Sequence, residues 1–355
     1  MLLINSLKMT YCKSHFKSLS TIFNFVSSSN SDRYDNKDTK INQLNTEETR
    51  KTRNFDINSP VEYLLTAYKG KFIVCNLKSN PRCDVYLCGT IHVTKSSADF
   101  VRDVIQKLRP EFVILELCEA RVDSLCEPEE NIQNITFSNI IRTSISDKSI
   151  KTFGIGLLVW MQTKAAALLG NKLGGELIAA AKEAHLLGST VILGDRLYGV
   201  TIQRAFDKIN TFEKIKLAIT LIWEVLTMSL FKIKDYVKKS EQNETFIVDE
   251  LENFAKHLPA LSEVIIKERD EYISQTIFEL VKIAFNPLSI NSNQINRGKI
   301  VVVAGAGHLK GIQYLLNQGP ISDERMKLIS SSSVHNSTWP GSGYLSIVNT
   351  KMLFP

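Results

Sequence analysis

"DVYLCGTIHVTKSSADFVRDVIQKLRPEFVILEL", residues 84–117, contains two short apolar runs separated by an amphipathic segment. The runs "VYLC" and "FVIL" are apolar throughout, which is typical of strands buried on both faces of a sheet. Between them, apolar residues recur at helical spacing until Pro110: Phe100, Val101, Val104, Ile105 and Leu108. The order of strand, helix and strand predicts a βαβ unit with parallel pairing and a right-handed crossover.

The same pattern returns twice further along the chain. "GGELIAAAKEAHLLG" followed by "STVILGDR", residues 174–196, reads as a helix and a buried strand. "GKIVVVAGAGHLKGIQYLLNQG", residues 298–319, reads as a strand and a helix. Together these segments predict an α/β fold, a mostly parallel sheet flanked by helices, with a helical insertion at about 199–285 before the last strand.

Composition divides the chain into three parts. Residues 1–60 are expected to form a disordered N-terminal tail, because 27–60 is polar and has no apolar periodicity. The first 31 residues are acid-poor, Ser-rich and amphipathic, which resembles a mitochondrial targeting segment as much as a simple tail. Residues 61–318 are predicted to form the folded domain, and 319–355 an irregular C-terminal tail.

Charge, cysteines and hydropathy exclude several classes of protein. The formal net charge of +6 is scattered along 355 residues, which argues against a nucleic-acid partner. Six cysteines without a regular spacing indicate reduced thiols in an intracellular protein, and Cys88 and Cys118 fall in apolar runs where they would pack in the core. The longest apolar segment, residues 217–231, contains Glu224 and predicts a buried or interface-lying helix instead of a membrane span.

Two histidines follow strands in the same local context. Gly89 to His92 follows "VYLC", and Gly305 to His308 follows "VVVA", so the motif Gly-x-x-His occurs twice. Ligands of open α/β sheets bind at the carboxyl ends of the strands, and both histidines are predicted there. "GAGHLKG" is not a dinucleotide fingerprint, because Lys310 stands where the last glycine would be required.

Charged residues are expected at the same edge of the sheet: Glu116, Glu119, Arg121, Asp195 and Arg196. Two imidazoles and a carboxylate form a ligand set for a divalent transition metal, with positions left open for water, as hydrolysis requires. Simpler roles stay open at this point. The histidines would also suit hydrogen-bonded turns, Glu116 an ion pair with Arg121, and Asp195 the N-cap of a helix beginning near Gly199.

Four ordered blocks resemble the TraB/PrgY family, and most closely its eukaryotic TraB domain proteins. They are "CGTIHVTKSSADFVRDVIQKLRPEFVILELCEAR", "GGELIAAAKEAHLLGSTVILGDRLYGVTIQRAF", "IIKERDEYI" and "VVVAGAGHLKGI", within about residues 61–312. The resemblance implies a fold similar to that of the Tiki metalloproteases and the erythromycin-esterase and ChaN-like proteins. It also implies a metal-dependent hydrolase, possibly peptidase-like, acting on a peptide or small molecule.

The resemblance assigns roles to particular residues. It implies that His92 and His308 bind the metal, with Glu116 as a further ligand or the general base. Arg121 would bind an oxyanion or a substrate carboxylate, or orient Glu116. Further candidates match other blocks of the family without a firm role: Asp195, Arg196, Glu268, Arg269 and Asp270. Residues 268–270 are consecutive on a predicted helix and cannot all face one way, so one or two of them at most are expected to reach the site. Glu119 stays a candidate because it follows the strand that ends at Glu116.

The implied cofactor is a divalent cation, with Mn, Co or Zn all chemically suitable. The alternative function is a non-catalytic adaptor or tether at an organelle surface such as the mitochondrial outer membrane, with peripheral membrane association. The predicted compartment is therefore the cytosol or the mitochondrion. The oligomeric state is left open.

Overall fold

A computed structural model describes residues 16–17, 59–78, 80, 83–91, 95–125, 142, 156, 160, 174–227, 229–242, 246–285, 298–336, 339, 341 and 344–354. The predicted disordered tail, residues 1–60, lies outside these ranges except for residues 16, 17, 59 and 60. His92 also lies outside the described residues.

The described residues form one sheet of seven strands. Their bounds are β1 Phe16–Lys17, β2 Phe72–Asn76, β3 Cys83–Thr90, β4 Phe112–Leu115, β5 Thr190–Leu193, β6 Gly298–Gly305 and β7 Ser346–Val348. The order across the sheet is β1-β7-β5-β4-β6-β3-β2. The four central strands, β5, β4, β6 and β3, run parallel, whereas β2, β7 and β1 pair antiparallel at the two sides. The prediction of a mostly parallel α/β sheet is confirmed.

Helices surround this sheet. Their bounds are α1 Pro60–Ala67, α2 Lys95–Leu108, α3 Gly175–Leu187, α4 Tyr198–Lys208, α5 Thr211–Thr227, α6 Leu230–Gln242, α7 Phe246–His257, α8 Pro259–Ser262, α9 Glu268–Ala284, α10 Leu309–Gln318, α11 Asp323–Ile329 and α12 Thr350–Leu353. Short 3₁₀ turns span Glu119–Leu125 and Ala306–His308, and a π-helical turn, Glu263–Lys267, precedes α9. As predicted, α3 ends at Gly188, which adopts a left-handed backbone with φ 73°.

The core has one layer on each face of the sheet, because successive strand residues point to opposite sides. Ile114 of β4 lies in the layer formed with α9 and α10, whereas its neighbours Val113 and Leu115 lie in the layer that includes α2 and α3. Cys88 and Cys118 are both buried, and burial raises the pKa of each thiol. Their predicted packing role is confirmed.

The helical insertion predicted at about 199–285 corresponds to α4 to α9, and the next strand is β6. The sheet continues beyond β6, however, because β7 pairs with β5. The prediction of an irregular tail over 319–355 is therefore wrong in this respect: the segment contains α11, β7 and α12. Among the described residues, no helix is both long enough and apolar enough to cross a bilayer.

The start of β6 tolerates no side chain. A Cβ atom at Gly298 would stand 1.9 Å from Cε1 of Phe285, whose ring packs edge-on against Phe112 with the ring centroids 5.7 Å apart. We expect Gly298→Ala to lower the free energy of unfolding by about 1–3 kcal/mol, measured by chemical denaturation, because the buried ring must be displaced. Gly175→Ala is the matched control, since a Cβ there meets no atom within 4 Å. Equal stability of the two variants would contradict the packing.

Candidate functional site

Three polar side chains follow the carboxyl ends of three adjacent strands. Asp195 comes after β5, Glu116 directly after β4, and His308 in the 3₁₀ turn after β6. The register aligns these ends, because Leu115 pairs with both Leu193 and Val303. Adjacent strands lie roughly 4.8 Å apart, so the three side chains enter one small volume. The predicted convergence of these three residues is present in the structure.

Glu116 is held in place by hydrogen bonds with strand β6 and helix α9. Its backbone N–H donates to the Val303 carbonyl at 2.9 Å, which extends the pairing of β4 with β6 by one residue. Its Oε2 accepts the Gly305 N–H at 2.6 Å, and its Oε1 accepts a hydrogen bond from Arg269. The same Oε1 lies 3.4 Å from Nε2 of His308. The carboxylate is therefore buried, fixed and directed at the imidazole.

His308 is oriented by a carboxylate on its other side. Nδ1 lies 2.6 Å from Oδ1 of Asp270, so an Nδ1–H donating to that oxygen leaves Nε2 facing Glu116. Both residues are buried, and burial raises the pKa of the Asp270 carboxyl. Gly311 makes room for this pair, because a Cβ there would stand 1.9 Å from Oδ2 of Asp270.

Arg269 joins the cluster at its centre. Its Nη2 donates to Oδ2 of Asp195 at 2.8 Å and to Glu116, while Nη1 lies 3.2 Å from Nε2 of His308. Burial alone would lower the pKa of this guanidinium, but the charges of Asp195 and Glu116 outweigh burial and raise it. Arg269 therefore stays protonated and balances two of the carboxylates. We call Glu116, Asp195, Arg269, Asp270 and His308 the strand-end cluster.

Arg121 lies at the outer border of the strand-end cluster, with 39% of its side chain exposed. Its Nη2 is 3.4 Å from the backbone carbonyl of Glu116 and 3.9 Å from Oδ2 of Asp195. The ion pair considered between Glu116 and Arg121 is thus made by Arg269 instead. Asp195 does not cap a helix, since α4 begins after Leu197.

Two sequence candidates belong to a second charged cluster. Glu268 is fully buried and accepts hydrogen bonds from Arg196, Arg204 and Lys208. Arg196, also fully buried, donates in addition to the Ile329 carbonyl at 2.6 Å and the Val264 carbonyl at 2.7 Å. We call these four charged residues the Glu268 cluster; its contacts connect α4, α9 and the end of α11.

Glu119 also has a structural contact of its own. Its Oε1 accepts a hydrogen bond from the Ser346 hydroxyl at 2.6 Å, at the start of β7. Of the candidates from the sequence, the structure thus brings together Glu116, Asp195, Arg269, Asp270 and His308. Two of the three consecutive helix residues 268–270 reach the site, as expected, and Glu268 does not. The glycine three residues after His308, which leaves space for the carboxylate, is the signal that points to Asp270 in particular.

The donors at the strand-end cluster fit a divalent cation in their chemistry. A metal-binding histidine commonly donates its second N–H to a carboxylate, as His308 does to Asp270, and a nearby carboxylate such as Glu116 suits Mn, Co or Zn. Within the described ranges, no three His, Cys, Asp or Glu side chains are grouped to hold a metal. Glu116 and His308 form a pair, and the predicted third ligand, His92, lies outside those ranges.

Comparisons with known proteins identify a matching family and several relatives. The sequence model of the TraB/PrgY/gumN family matches residues 74–319. An uncharacterized protein of Methanocaldococcus jannaschii is 30% identical over 234 residues, which cover 65% of this chain and 52% of that protein.

Two mammalian relatives match a similar region. The TraB domain-containing proteins of Bos taurus and Homo sapiens are 27% and 26% identical, over 64% of this chain and 61% of each relative. The matched region thus spans about half to three fifths of the length of these relatives.

Proposed function

The chain belongs to the TraB/PrgY/gumN family, and from this premise we propose that it is a metal-dependent hydrolase of peptide-like substrates. His92, Glu116 and His308 hold the divalent cation in this proposal. The observation that carries it is the orientation of His308, whose Nδ1 is engaged by Asp270 at 2.6 Å while Nε2 faces the Glu116 carboxylate at 3.4 Å. A histidine that serves only as a turn residue does not need a buried carboxylate on either side.

Each residue of the strand-end cluster has a part in this function. Asp270 fixes the His308 ring and increases the basicity of Nε2. Asp195 and Glu116 hold Arg269 beside the His308 ring, with Nη1 3.2 Å from Nε2. Because Nε2 has one lone pair, Arg269 would have to release this nitrogen for a cation to bind there. When bound, a divalent cation supplies Lewis acidity and makes water nucleophilic near neutral pH.

Arg121 is suited to the substrate. It is the half-exposed cation at the border of the cluster, and its guanidinium carbon lies 5.8 Å from the centre of the Tyr198 ring, which limits its side-chain freedom. A guanidinium in this position binds a substrate carboxylate or the negative charge that develops on a carbonyl oxygen during hydrolysis.

Metal content tests the proposal directly. The full chain, purified without chelators and equilibrated with Zn²⁺, Co²⁺ or Mn²⁺, is expected to retain about one ion in elemental analysis. His308→Ala and Glu116→Gln are expected to lose it, because each removes a ligand. His257→Ala is the matched control, since His257 is exposed on α7. Absence of metal from the wild type, or equal metal in His308→Ala, would exclude the site.

The alternative function, a non-catalytic adaptor, predicts that the His308→Ala variant still restores the function of the protein in cells. Hydrolysis of a fluorogenic peptide library measures catalysis, and complementation of a knockout measures the biological role. A catalytic role requires that His308→Ala lose both. Complementation by His308→Ala at the wild-type level would favour the adaptor. The compartment, cytosol or mitochondrion, stays a prediction that a full-length fluorescent fusion tests.

A further inference from the structure

An exposed apolar stripe runs along helix α5. Phe212, Ile215, Ile219 and Trp223 are each at least 55% exposed. Their spacing of three, four and four residues places them on one face of the helix. Large apolar side chains grouped on one face, unlike single ones, indicate a surface that binds something.

The opposite side of α5 is attached to the rest of the fold. Leu217 packs against a small apolar cluster that includes Ala205, Leu258 and Leu261. Lys216 borders the stripe itself, four residues after Phe212, and donates from Nζ to the His257 carbonyl at 3.1 Å. The stripe therefore faces outward because the other side of the helix is occupied. The segment is apolar on both sides, which is unusual for a helix that faces water.

Helix α6 adds aromatic and basic groups directly after this stripe. Phe231 is 81% exposed, and Lys234 and Lys238 follow it at helical spacings of three and four residues, so they share its face. Over 211–242 the chain carries six lysines and four acidic residues. Long lysine side chains bury their methylene groups at an apolar boundary while keeping the ammonium in a polar layer.

From these features we infer that α5 and α6, residues 211–242, dock on an anionic lipid surface. An exposed stripe with Trp and Phe on one helix, followed by exposed Phe231 and lysines on the next, is the composition of helices that lie in the plane of a membrane interface. The apolar stripe would enter the boundary of the acyl chains, and the lysines would contact the negative headgroups. This surface is separate from the strand-end cluster, so the inference does not depend on the proposed hydrolysis.

A second copy of the chain fits this surface less well than lipid. In a two-fold symmetric dimer the same patch meets itself. Pairing through Phe231 would then bring Lys234 and Lys238 of one copy close to the same residues of its partner. Like charges that meet in this way oppose association. An anionic surface offers the complementary charge instead.

Vesicle flotation of the full chain tests the inference. We expect the chain to bind vesicles of phosphatidylcholine that contain about 30% phosphatidylserine, which gives a strongly anionic surface. Binding to vesicles of phosphatidylcholine alone is expected to be weaker. The double variant Ile219→Glu with Trp223→Glu is expected to reduce binding at least about tenfold, because it removes two apolar anchors. Leu186→Glu with Tyr314→Glu is the matched control, since both residues are exposed apolar side chains on other helices.

Charge is tested separately. Lys234→Glu with Lys238→Glu is expected to weaken binding to anionic vesicles several-fold and to reduce its dependence on salt, whereas Lys327→Glu on α11 is not. Equal flotation of wild type and the Ile219/Trp223 variant, with both folded by circular dichroism, would overturn the inference. So would a wild-type dimer in light scattering that becomes monomeric in that variant without any binding to vesicles.

Discussion

Replacing Glu268 with glutamine is expected to lower the free energy of unfolding by about 3–5 kcal/mol. The carboxylate is fully buried, and its two oxygens accept from Arg196 and Arg204 at 2.8 Å and from Lys208 at 3.0 Å. The amide keeps the shape but removes the charge. Arg196, which is also fully buried, would then lose its ion-pair partner. Chemical denaturation at neutral pH measures the loss.

The contribution of Glu268 also depends on pH. Burial alone would raise the pKa of this carboxyl, but hydrogen bonds from Arg204 and Arg196 outweigh burial and lower it to about 2. Because the folded pKa is below the unfolded value of 4.5, the stabilisation is complete above pH 4.5 and is lost as the pH falls towards 2. The shift corresponds to about 3 kcal/mol at neutral pH. The difference between wild type and Glu268→Gln should therefore shrink in acid.

An exposed carboxylate provides the control for this effect. Asp235 forms an ion pair with Lys239 on α6, and both side chains are more than two fifths exposed. Asp235→Asn is expected to change the free energy of unfolding by less than about 1 kcal/mol at any pH. If Glu268→Gln behaved like this control, the Glu268 cluster would not be a structural centre of the fold.

The site residues that directly follow strands could be identified from the sequence alone. Glu116 and His308 come at the ends of uninterrupted apolar runs, and parallel strands bring their carboxyl ends to one edge. That edge is recognisable without coordinates because the runs are long enough to identify as strands. His92 follows β3 by the same logic; it lies outside the described residues, so its place in the site stays a prediction.

Residues on α9 were harder to assign, because the neighbours of each residue on a helix depend on how that helix packs against the sheet. Consecutive residues point in different directions on a helix. Glu268 points into the Glu268 cluster, whereas Arg269 and Asp270 reach the strand-end cluster. The π-helical turn at Glu263–Lys267 directly precedes them and shifts the helical register by a residue. No periodicity in the sequence shows that shift.

The C-terminal strand was missed for a different reason. β7 has only three residues, which is too short for an alternating pattern to stand out from a loop. Its place is specified by distant partners instead: it pairs with β5, and Ser346 donates to Glu119. Glu119 looked like a site residue because it follows β4 closely. Its partner became evident only when β7 was placed beside the sheet.

Displacing Asp270 is expected to weaken metal binding by about 10–100-fold while His308 and Glu116 remain present. Asp270→Asn removes the negative charge that makes Nε2 of His308 a better ligand, although the amide oxygen can still accept from Nδ1–H. Gly311→Ala acts on the same carboxylate by sterics, since the added methyl would overlap Oδ2 of Asp270 at 1.9 Å. Both variants keep every proposed ligand of the metal.

Titration with Co²⁺ or Zn²⁺ against a competing chelator measures the affinity, and Tyr314→Ala on the exposed side of α10 serves as the control. Agreement between Asp270→Asn and Gly311→Ala would show that Asp270 acts through the His308 ring, because the two variants change one carboxylate by different means. Wild-type affinity in both would remove Asp270 from the site. Loss in Asp270→Asn alone would mean that helix α10 shifts to accommodate the methyl group at Gly311 and leaves the Asp270–His308 contact intact.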